Sequence, residues 1–370
     1  MAFRNSSSTS RRRNPARLAR TTLAIACTLL AGSLASASTS NQWALRYLRA
    51  DSVWQISRGA GAEIAVIDTG VQANADVSNH LLPGADFSDS TTTSVGTGHL
   101  DTDSYGHGTG EASLIVGAGA ETQGLAPDSN ILPIRAVNGY AVDLALGITP
   151  AIEFAVSHKA RVINLALGYK QDDPDIRRAV QDALDSDVVV VAAVGNDGSS
   201  QQYYPAALPG VVGVGAIDSS GEVWGQSNTG ADVALVAPGV HILRDDNRGR
   251  VGYSDGTSEA TAYVSAAAAL VRSAHPGWSA GEVVAALEGT ADKPAGMRGA
   301  VRDDRYGAGI LDVLAAVRLA EPPVVGGSGA GVVRARQGGG SGWLWWVVGG
   351  GAVAGGVVML FGVRRWFRRV

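Results

Sequence analysis

The run DVVVVAAV at residues 187–194 is one of four short apolar stretches, rich in β-branched side chains, that lie between residues 60 and 272. The other three are EIAVID at 63–68, RVINLAL at 161–167 and GVVGVGAI at 210–217. Strands that are apolar along their whole length are typical of a parallel sheet covered on both faces. Because helical patterns alternate with these runs, the sequence predicts a doubly wound α/β fold with a mostly parallel sheet and helices on both faces.

One of the intervening helices is marked clearly at its start. Asp173 is a suitable N-cap for a helix whose first turn contains Pro174. Ile176, Val180 and Leu184 recur every fourth residue and predict its buried face.

In a sheet of this kind the ligand crevice lies outside the carboxyl ends of the strands. Asp68, in IDTG, directly follows the apolar residues 64–67. Asn196, in VGNDG, comes just after the run 187–194. Both side chains are therefore expected at the crevice.

Two further polar residues stand in glycine-containing turns that precede helical segments. His107, in GHGTG, opens the helical stretch 110–117. Ser258, in DGTSEA, precedes an Ala-rich segment that has no polar face between residues 262 and 271. That helix must be buried, so its N-terminus places Ser258 at the crevice with the helix dipole behind it.

Each of these features by itself usually has a structural role. Together, the order Asp68, His107, Ser258 within one α/β domain is one of the chain orders in which the Ser-His-Asp triad is known. The sequence therefore predicts a hydrolase with a serine nucleophile.

The chain resembles the subtilisin-type serine proteases (peptidase family S8) over about residues 43–318. Within that family it is similar to the membrane-anchored mycosins of type VII secretion systems. Besides the segments already quoted, the shared motifs are GLAP at 124–127, VINLALG at 162–168, YPAA at 204–207, SNTG at 227–230, VAPG at 236–239 and YGAGILD at 306–312.

The resemblance implies a role for each candidate residue. Ser258 would be the nucleophile and His107 the general base, with Asp68 orienting the imidazole and Asn196 donating to the oxyanion. No cofactor is required. Structural calcium is common in the family and the acidic loops permit it, although the sequence places no calcium site.

Two positions that are commonly apolar in the family carry carboxylates here, namely Glu111 and Glu259. A carboxylate in the first turn of a helix is favoured by the dipole, so we expect Glu259 to be tolerated. If its charge lies near His107, it would raise the pKa of the imidazole and move the acid limb of activity upward.

Two alternatives remain open at this stage. The loop HLDTDSYGH offers His99, Asp101, Asp103 and His107 as metal ligands, but no second metal pattern supports that interpretation. The chain is alternatively a weak or inactive subtilase-fold protein that stabilises a secretion complex, an interpretation supported only by the two glutamates.

The charge distribution excludes nucleic acid as a partner. Residues 38–321 hold all 34 acidic residues but only 18 of the 30 Lys and Arg, which leaves a net charge of −16. No excess of positive charge remains there to neutralise phosphates. Protein or peptide substrates, a membrane and a type VII secretion complex are the expected partners.

The remaining basic residues lie at the two ends, and their placement predicts membrane targeting. Residues 1–37 read as a signal peptide that is removed after Ala37 together with Cys27, the single cysteine. Residues 38–321 form the predicted peptidase domain, 322–342 a Gly/Pro-rich linker, 343–363 a transmembrane helix and 364–370 a basic cytoplasmic tail. The predicted location is the cell membrane, with a single span and the peptidase domain outside.

Overall fold

The computed structural model describes residues 42–323, except residues 90, 91, 97, 99, 120, 139–144 and 298. The predicted signal peptide, the transmembrane helix at 343–363, the tail at 364–370 and nearly all of the linker lie outside these residues. Within the described part of the chain, no helix combines the length and apolar character needed to cross a membrane.

An eight-stranded sheet forms the centre of the fold, in the order β3-β2-β4-β1-β5-β6-β7-β8. Neighbouring strands are parallel except for the antiparallel pair of β2 and β3 at one edge. The strands are β1 Glu63–Asp68, β2 Ala85–Asp89, β3 Thr92–Val95, β4 Asn130–Arg135, β5 Val162–Leu165, β6 Val189–Ala193, β7 Val212–Ile217 and β8 Leu235–Pro238. The prediction of a doubly wound, mostly parallel sheet is confirmed.

All four predicted strands are present, and three of them are slightly shorter than the apolar runs that predicted them. The run at 63–68 matches β1 completely, whereas β5, β6 and β7 each begin one or two residues after their runs begin. Every residue of β5, β6 and β7 is buried. Burial on both faces explains why these strands do not alternate between apolar and polar residues.

Helices cover both faces of this sheet. The helices are α1 Trp43–Tyr47, α2 Ala50–Val53, α3 His107–Val116, α4 Ala145–Ser157, α5 Pro174–Asp185, α6 Thr257–Ala274, α7 Ala280–Gly289 and α8 Val313–Val317. Apolar side chains of α3, α6 and α7 belong to one core cluster, and those of α4 and α5 belong to the cluster on the opposite face. A two-stranded antiparallel sheet, β9 Ile242–Asp245 and β10 Val251–Ser254, lies outside the main sheet.

Helix α6 is the most deeply enclosed element, as its lack of a polar face predicted. Each of its residues from Thr257 to Arg272 is buried. Apolar surface removed from water stabilises the fold by roughly 25 cal/mol per Å², so a fully enclosed helix contributes along its whole circumference. This burial brings the N-terminus of α6 to the end of the sheet where β5 and β6 finish.

The predicted start of α5 is confirmed. One carboxylate oxygen of Asp173 accepts hydrogen bonds from the backbone N–H of Asp175 at 2.8 Å and of Ile176 at 3.1 Å. Ile176 and Val180 are buried in the core and Leu184 is half-buried.

Helix α3 begins three residues earlier than the predicted stretch 110–117 and ends at Val116. Its N-cap is Gly106, whose φ of +63° lies in the left-handed region that favours glycine. A Cβ there would also lie 2.2 Å from the backbone nitrogen of Asn247. His107 is therefore the first residue of the helix rather than part of the preceding turn.

Candidate active site

The four predicted site residues line one cleft at the carboxyl ends of the parallel strands. Asp68 ends β1, Asn196 follows β6, His107 begins α3 and Ser258 is the second residue of α6. The structure thus brings together side chains from distant parts of the chain, as the crevice rule predicts for a doubly wound sheet.

Asp68 and His107 form a direct pair. The imidazole Nδ1 of His107 lies 2.8 Å from Oδ1 of Asp68, which also accepts the backbone N–H of Thr69 at 2.7 Å. Asp68 is 1% exposed, while His107 keeps 26% of its side chain exposed to the cleft. Burial lowers the pKa of His107, but the nearby carboxylates, chiefly Asp68, together outweigh burial, so the pKa is raised overall. The pair therefore stabilises a protonated imidazole.

The Ser258 hydroxyl lies in the first turn of α6, where unpaired backbone N–H groups and the helix dipole favour negative charge. Its Oγ donates to the carbonyl oxygen of Ala166 at 2.8 Å. Ser258 is 8% exposed, and its side chain faces the cleft.

The Asn196 amide is oriented by Thr257. Its Oδ1 accepts both the backbone N–H and the hydroxyl of Thr257, at 2.9 and 2.8 Å. Asn196 is an exposed residue that lines the cleft, and with its oxygen held in this way its Nδ2 group is left to donate. The sequence analysis missed Thr257, although its place between Gly256 and Ser258 in the DGTSEA motif is the signal that could have identified it.

The acidic loop before α3 uses its carboxylates to hold the loop together. Asp101 accepts hydrogen bonds from the hydroxyls of Thr69 and Thr109, and Asp103 accepts the backbone N–H groups of Tyr105 and His107. No group of three or more His, Cys, Asp or Glu placed to hold a metal ion occurs among the described residues, which do not include His99. The structure therefore adds no support for a metal site in this loop, and calcium remains a prediction without a site.

The two unusual glutamates, Glu111 and Glu259, are buried next to the candidate catalytic residues. Glu259 is 2% exposed and its Oε1 lies 3.4 Å from Nε of Arg244. Glu111 is fully buried. Of the two glutamates, it is the one that raises the pKa of His107 when ionised, whereas Arg244 lowers that pKa. Nothing in the sequence around Arg244 identified it as a neighbour of the site.

One wall of the cleft carries an aromatic side chain. The ring of Tyr203 lies against Gly168 and Gly195, where an added Cβ would approach ring carbons to 3.2 and 3.0 Å. The Tyr203 hydroxyl donates to Asp197 at 2.8 Å, and Asp197 also pairs with Lys170 at 2.9 Å. This ring narrows the space between the chain segments that follow β5 and β6.

A doubly wound sheet with an Asp–His pair and a serine at a buried helix N-terminus places the molecule in the class of subtilisin-like serine peptidases. The profile of the subtilase family, peptidase S8, matches residues 59–309. The chain belongs to the subtilase family.

Individual relatives support the same assignment. The thermophilic serine proteinase of Bacillus sp. (strain AK1) is 37% identical over 254 residues, which cover 66% of this chain and 60% of that protein. Thermitase of Thermoactinomyces vulgaris is 33% identical over 260 residues, covering 70% of this chain and 91% of that protein. The solved structure of the serine protease MycP1, an essential component of the type VII (ESX-1) secretion system, superposes with a TM-score of 0.66 at 30% identity. That superposition covers 76% of this chain and 89% of the MycP1 chain.

Proposed function

We propose that this chain is a serine endopeptidase that hydrolyses peptide bonds with Ser258 as nucleophile. The single observation that carries the proposal is the 2.8 Å contact between His107 Nδ1 and Asp68 Oδ1 in the cleft that Ser258 also lines. A serine hydroxyl is too weak an acid to attack an amide unaided, so it needs a base whose tautomer is controlled. The Asp68 carboxylate provides that control by accepting the Nδ1–H of the imidazole.

The reaction follows from this arrangement. His107 Nε2 takes the Ser258 proton as Oγ attacks the carbonyl carbon, and later gives it to the leaving amine. The developing oxyanion accepts hydrogen bonds from Asn196 Nδ2 and the Ser258 backbone N–H, and Thr257 holds the Asn196 amide in the donating orientation. Water then attacks the acyl-enzyme by the same route, with His107 again as base.

The test uses the full chain in membranes, labelled with a fluorophosphonate and incubated with a mixed peptide library. We expect labelling and cleavage by the wild-type chain and by Ser273→Ala, a matched serine in the same helix. Ser258→Ala should lose both, with a drop in kcat of ~10⁶, the cost of removing the nucleophile of a related subtilisin. A folded wild-type chain that neither labels nor cleaves would overturn the proposal and favour an interaction role.

We further propose that the chain is a single-pass protein of the cell membrane, with the peptidase domain outside and residues 364–370 in the cytoplasm. Support comes from the apolar residues 343–363 and the arginines that follow them. The chain has one cysteine, Cys27, within the predicted signal peptide, so cysteines can be added to a cysteine-free background. We expect an impermeant maleimide to label Ser341→Cys in whole cells and to label Phe367→Cys only after lysis. Labelling of both in whole cells, or of neither, contradicts the topology.

We also propose that the chain processes secreted proteins beside a type VII secretion complex. The similarity to MycP1 and the predicted anchor support this role. The test compares the secreted proteins of cells that carry the wild-type chain, Ser258→Ala, or no chain. New amino termini that depend on Ser258 are the expected result. Secretion that needs the chain but not Ser258 would identify the structural role instead.

A further inference from the structure

Three ionisable side chains lie buried beside the proposed nucleophile and base, and the hydrolytic mechanism uses none of them. Glu111, Glu259 and Arg244 are 0%, 2% and 8% exposed. Burying charge is costly unless the charge is paired or neutralised. The arrangement of these groups therefore needs an explanation beyond the reaction itself.

Arg244 joins the two helices that carry the proposed base and nucleophile. Its Nε lies 3.4 Å from Oε1 of Glu259, the residue directly after Ser258. Its Nη1 donates to the carbonyl oxygen of Gly106, directly before His107, at 3.3 Å. One guanidinium thus connects the start of α3 to the start of α6.

The guanidinium of Arg244 fits against α3 because residue 110 of that helix is glycine. A Cβ at Gly110 would lie 1.8 Å from Nη1 and 2.6 Å from Cζ of Arg244. The Arg244 Nη1 also donates to the carbonyl oxygen of Asp245 at 3.2 Å. Because Gly110 has no side chain, the guanidinium lies directly against the helix backbone.

Glu111 does not compete with Glu259 for the positive charge of Arg244. It stands four residues after His107, on the same face of α3. Its two carboxylate oxygens are buried and make no hydrogen bond to any described residue. Burial, followed by the Glu259 charge, raises the pKa of Glu111 to about 8, so it is largely a neutral acid at pH 7. The other groups facing these carboxylates are His107, Asp68, Arg244 and Tyr263.

We propose that Arg244 and Glu259 are positioning residues for peptide hydrolysis, because their ion pair holds the helix of Ser258 against the helix of His107. This inference rests on the proposed endopeptidase function. The pair acts through the distance and angle between the Ser258 hydroxyl and the imidazole Nε2, and it does not touch the substrate carbonyl. A displacement of about 1 Å between reacting groups costs ~10²-fold in rate.

An ion pair with a purely structural role would affect stability but not the rate of peptide hydrolysis. The matched control is therefore a second buried arginine, whose loss should affect stability alone. Arg272 lies near the other end of α6, is 4% exposed and pairs with Asp187 at 3.0 Å. Arg272→Met removes a comparable buried charge far from the cleft. It should lower Tm while kcat and the pH profile keep their wild-type values.

The experiment measures Tm, kcat, KM and the acid limb of kcat/KM for the full chain on a peptide that the wild type cleaves. We expect Arg244→Met to lower kcat about 10- to 100-fold with KM changed less than threefold. Its acid limb should move to higher pH, because the guanidinium that lowers the pKa of His107 is gone.

Glu259→Gln keeps the volume of the side chain and guards against a variant that does not fold. It should also lower kcat, but its acid limb should move to lower pH, because the Arg244 charge is then uncompensated beside the imidazole. The double substitution Arg244→Met/Glu259→Met should lose no more activity than Arg244→Met alone. The single and the double variant remove the same ion pair.

Wild-type kcat and acid limb in Arg244→Met and in Glu259→Gln would overturn the positioning role while leaving the endopeptidase function intact. Shifts of both acid limbs in the same direction would also overturn it. A wild-type chain that cleaves nothing overturns both this inference and the function on which it rests.

Discussion

The Ser258 hydroxyl donates its proton to the carbonyl oxygen of Ala166, 2.8 Å away. A hydroxyl has a single proton, so in this conformation it does not donate to the imidazole of His107. The hydroxyl must therefore rotate away from the Ala166 carbonyl before the base can take the proton. Catalytic hydrogen bonds, such as the one from Ser258 to His107, often form only when the substrate is bound.

A crystal structure of the fluorophosphonate adduct tests this rotation. We expect Oγ to leave the Ala166 carbonyl, and a phosphonyl oxygen to accept hydrogen bonds from Asn196 Nδ2 and the Ser258 backbone N–H. An adduct in which the phosphonyl oxygen contacts neither donor would contradict the assignment of the oxyanion site.

Substitution of Asn196 tests the same site by kinetics. Asn196→Ala removes a donor that acts mainly on the transition state, so kcat should fall by ~10²- to 10³-fold with little change in KM. Thr257→Val removes one of the two bonds that orient the amide and should cause a smaller fall. Equal activity of Asn196→Ala and the wild type would show that the oxyanion is stabilised elsewhere.

The Asp68–His107 pair controls the pH dependence of activity. The base must be neutral to act, so the acid limb of kcat/KM follows the pKa of His107. Asp68 raises that pKa, so Asp68→Asn should move the acid limb to lower pH. The same change should lower kcat by ~10⁴, because the imidazole is no longer held in the right tautomer. If the acid limb of Asp68→Asn stays at the wild-type pH, the Asp68–His107 pair does not set that limb.

Glu111 should make stability depend on pH. Burial raises its pKa from 4.5 to about 8 in the folded state, so the folded chain holds a proton that the unfolded chain loses. Stability is then lost as pH rises between those two values. Glu111→Gln removes this loss, so its gain in Tm over the wild type should grow from pH 5 to pH 8. Glu153→Gln, at an exposed position of α4, should show no such trend.

Tyr203 should limit the size of the substrate side chain bound beside Ser258. Its ring lies between the segments that contain Gly168 and Gly195, which border the cleft next to the nucleophile. Tyr203→Ala should raise kcat/KM for peptides with Phe or Leu on the acyl side of the cleaved bond relative to peptides with Ala. Tyr203→Phe keeps the ring and loses only the bond to Asp197, so it should retain the wild-type preference. Identical preferences in both variants would show that the ring does not set specificity.

The sequence by itself determined the parts of this protein that depend on local pattern. Apolar runs at 63–68 and 187–194 predicted strands, the Asp173-Pro174 pair predicted a helix start, and the lack of a polar face in 262–271 predicted a buried helix. Each of these signals depends on side-chain spacing within a few residues. The crevice rule then placed Asp68, His107, Asn196 and Ser258 at one edge of the sheet.

Only the tertiary structure decided what surrounds those four side chains. Arg244 meets Gly106 across 138 residues of chain, and Thr257 meets Asn196 across 61. Neither contact follows from spacing, because packing of β9 against α3 and of α6 against the sheet brings the partners together. The expected influence of Glu259 on the imidazole belongs instead to Glu111, and only when Glu111 is ionised, because Arg244 lies beside Glu259 and balances its charge. Sequence patterns predict which residues are polar and which are buried, whereas the pairing of buried charges depends on how distant elements pack.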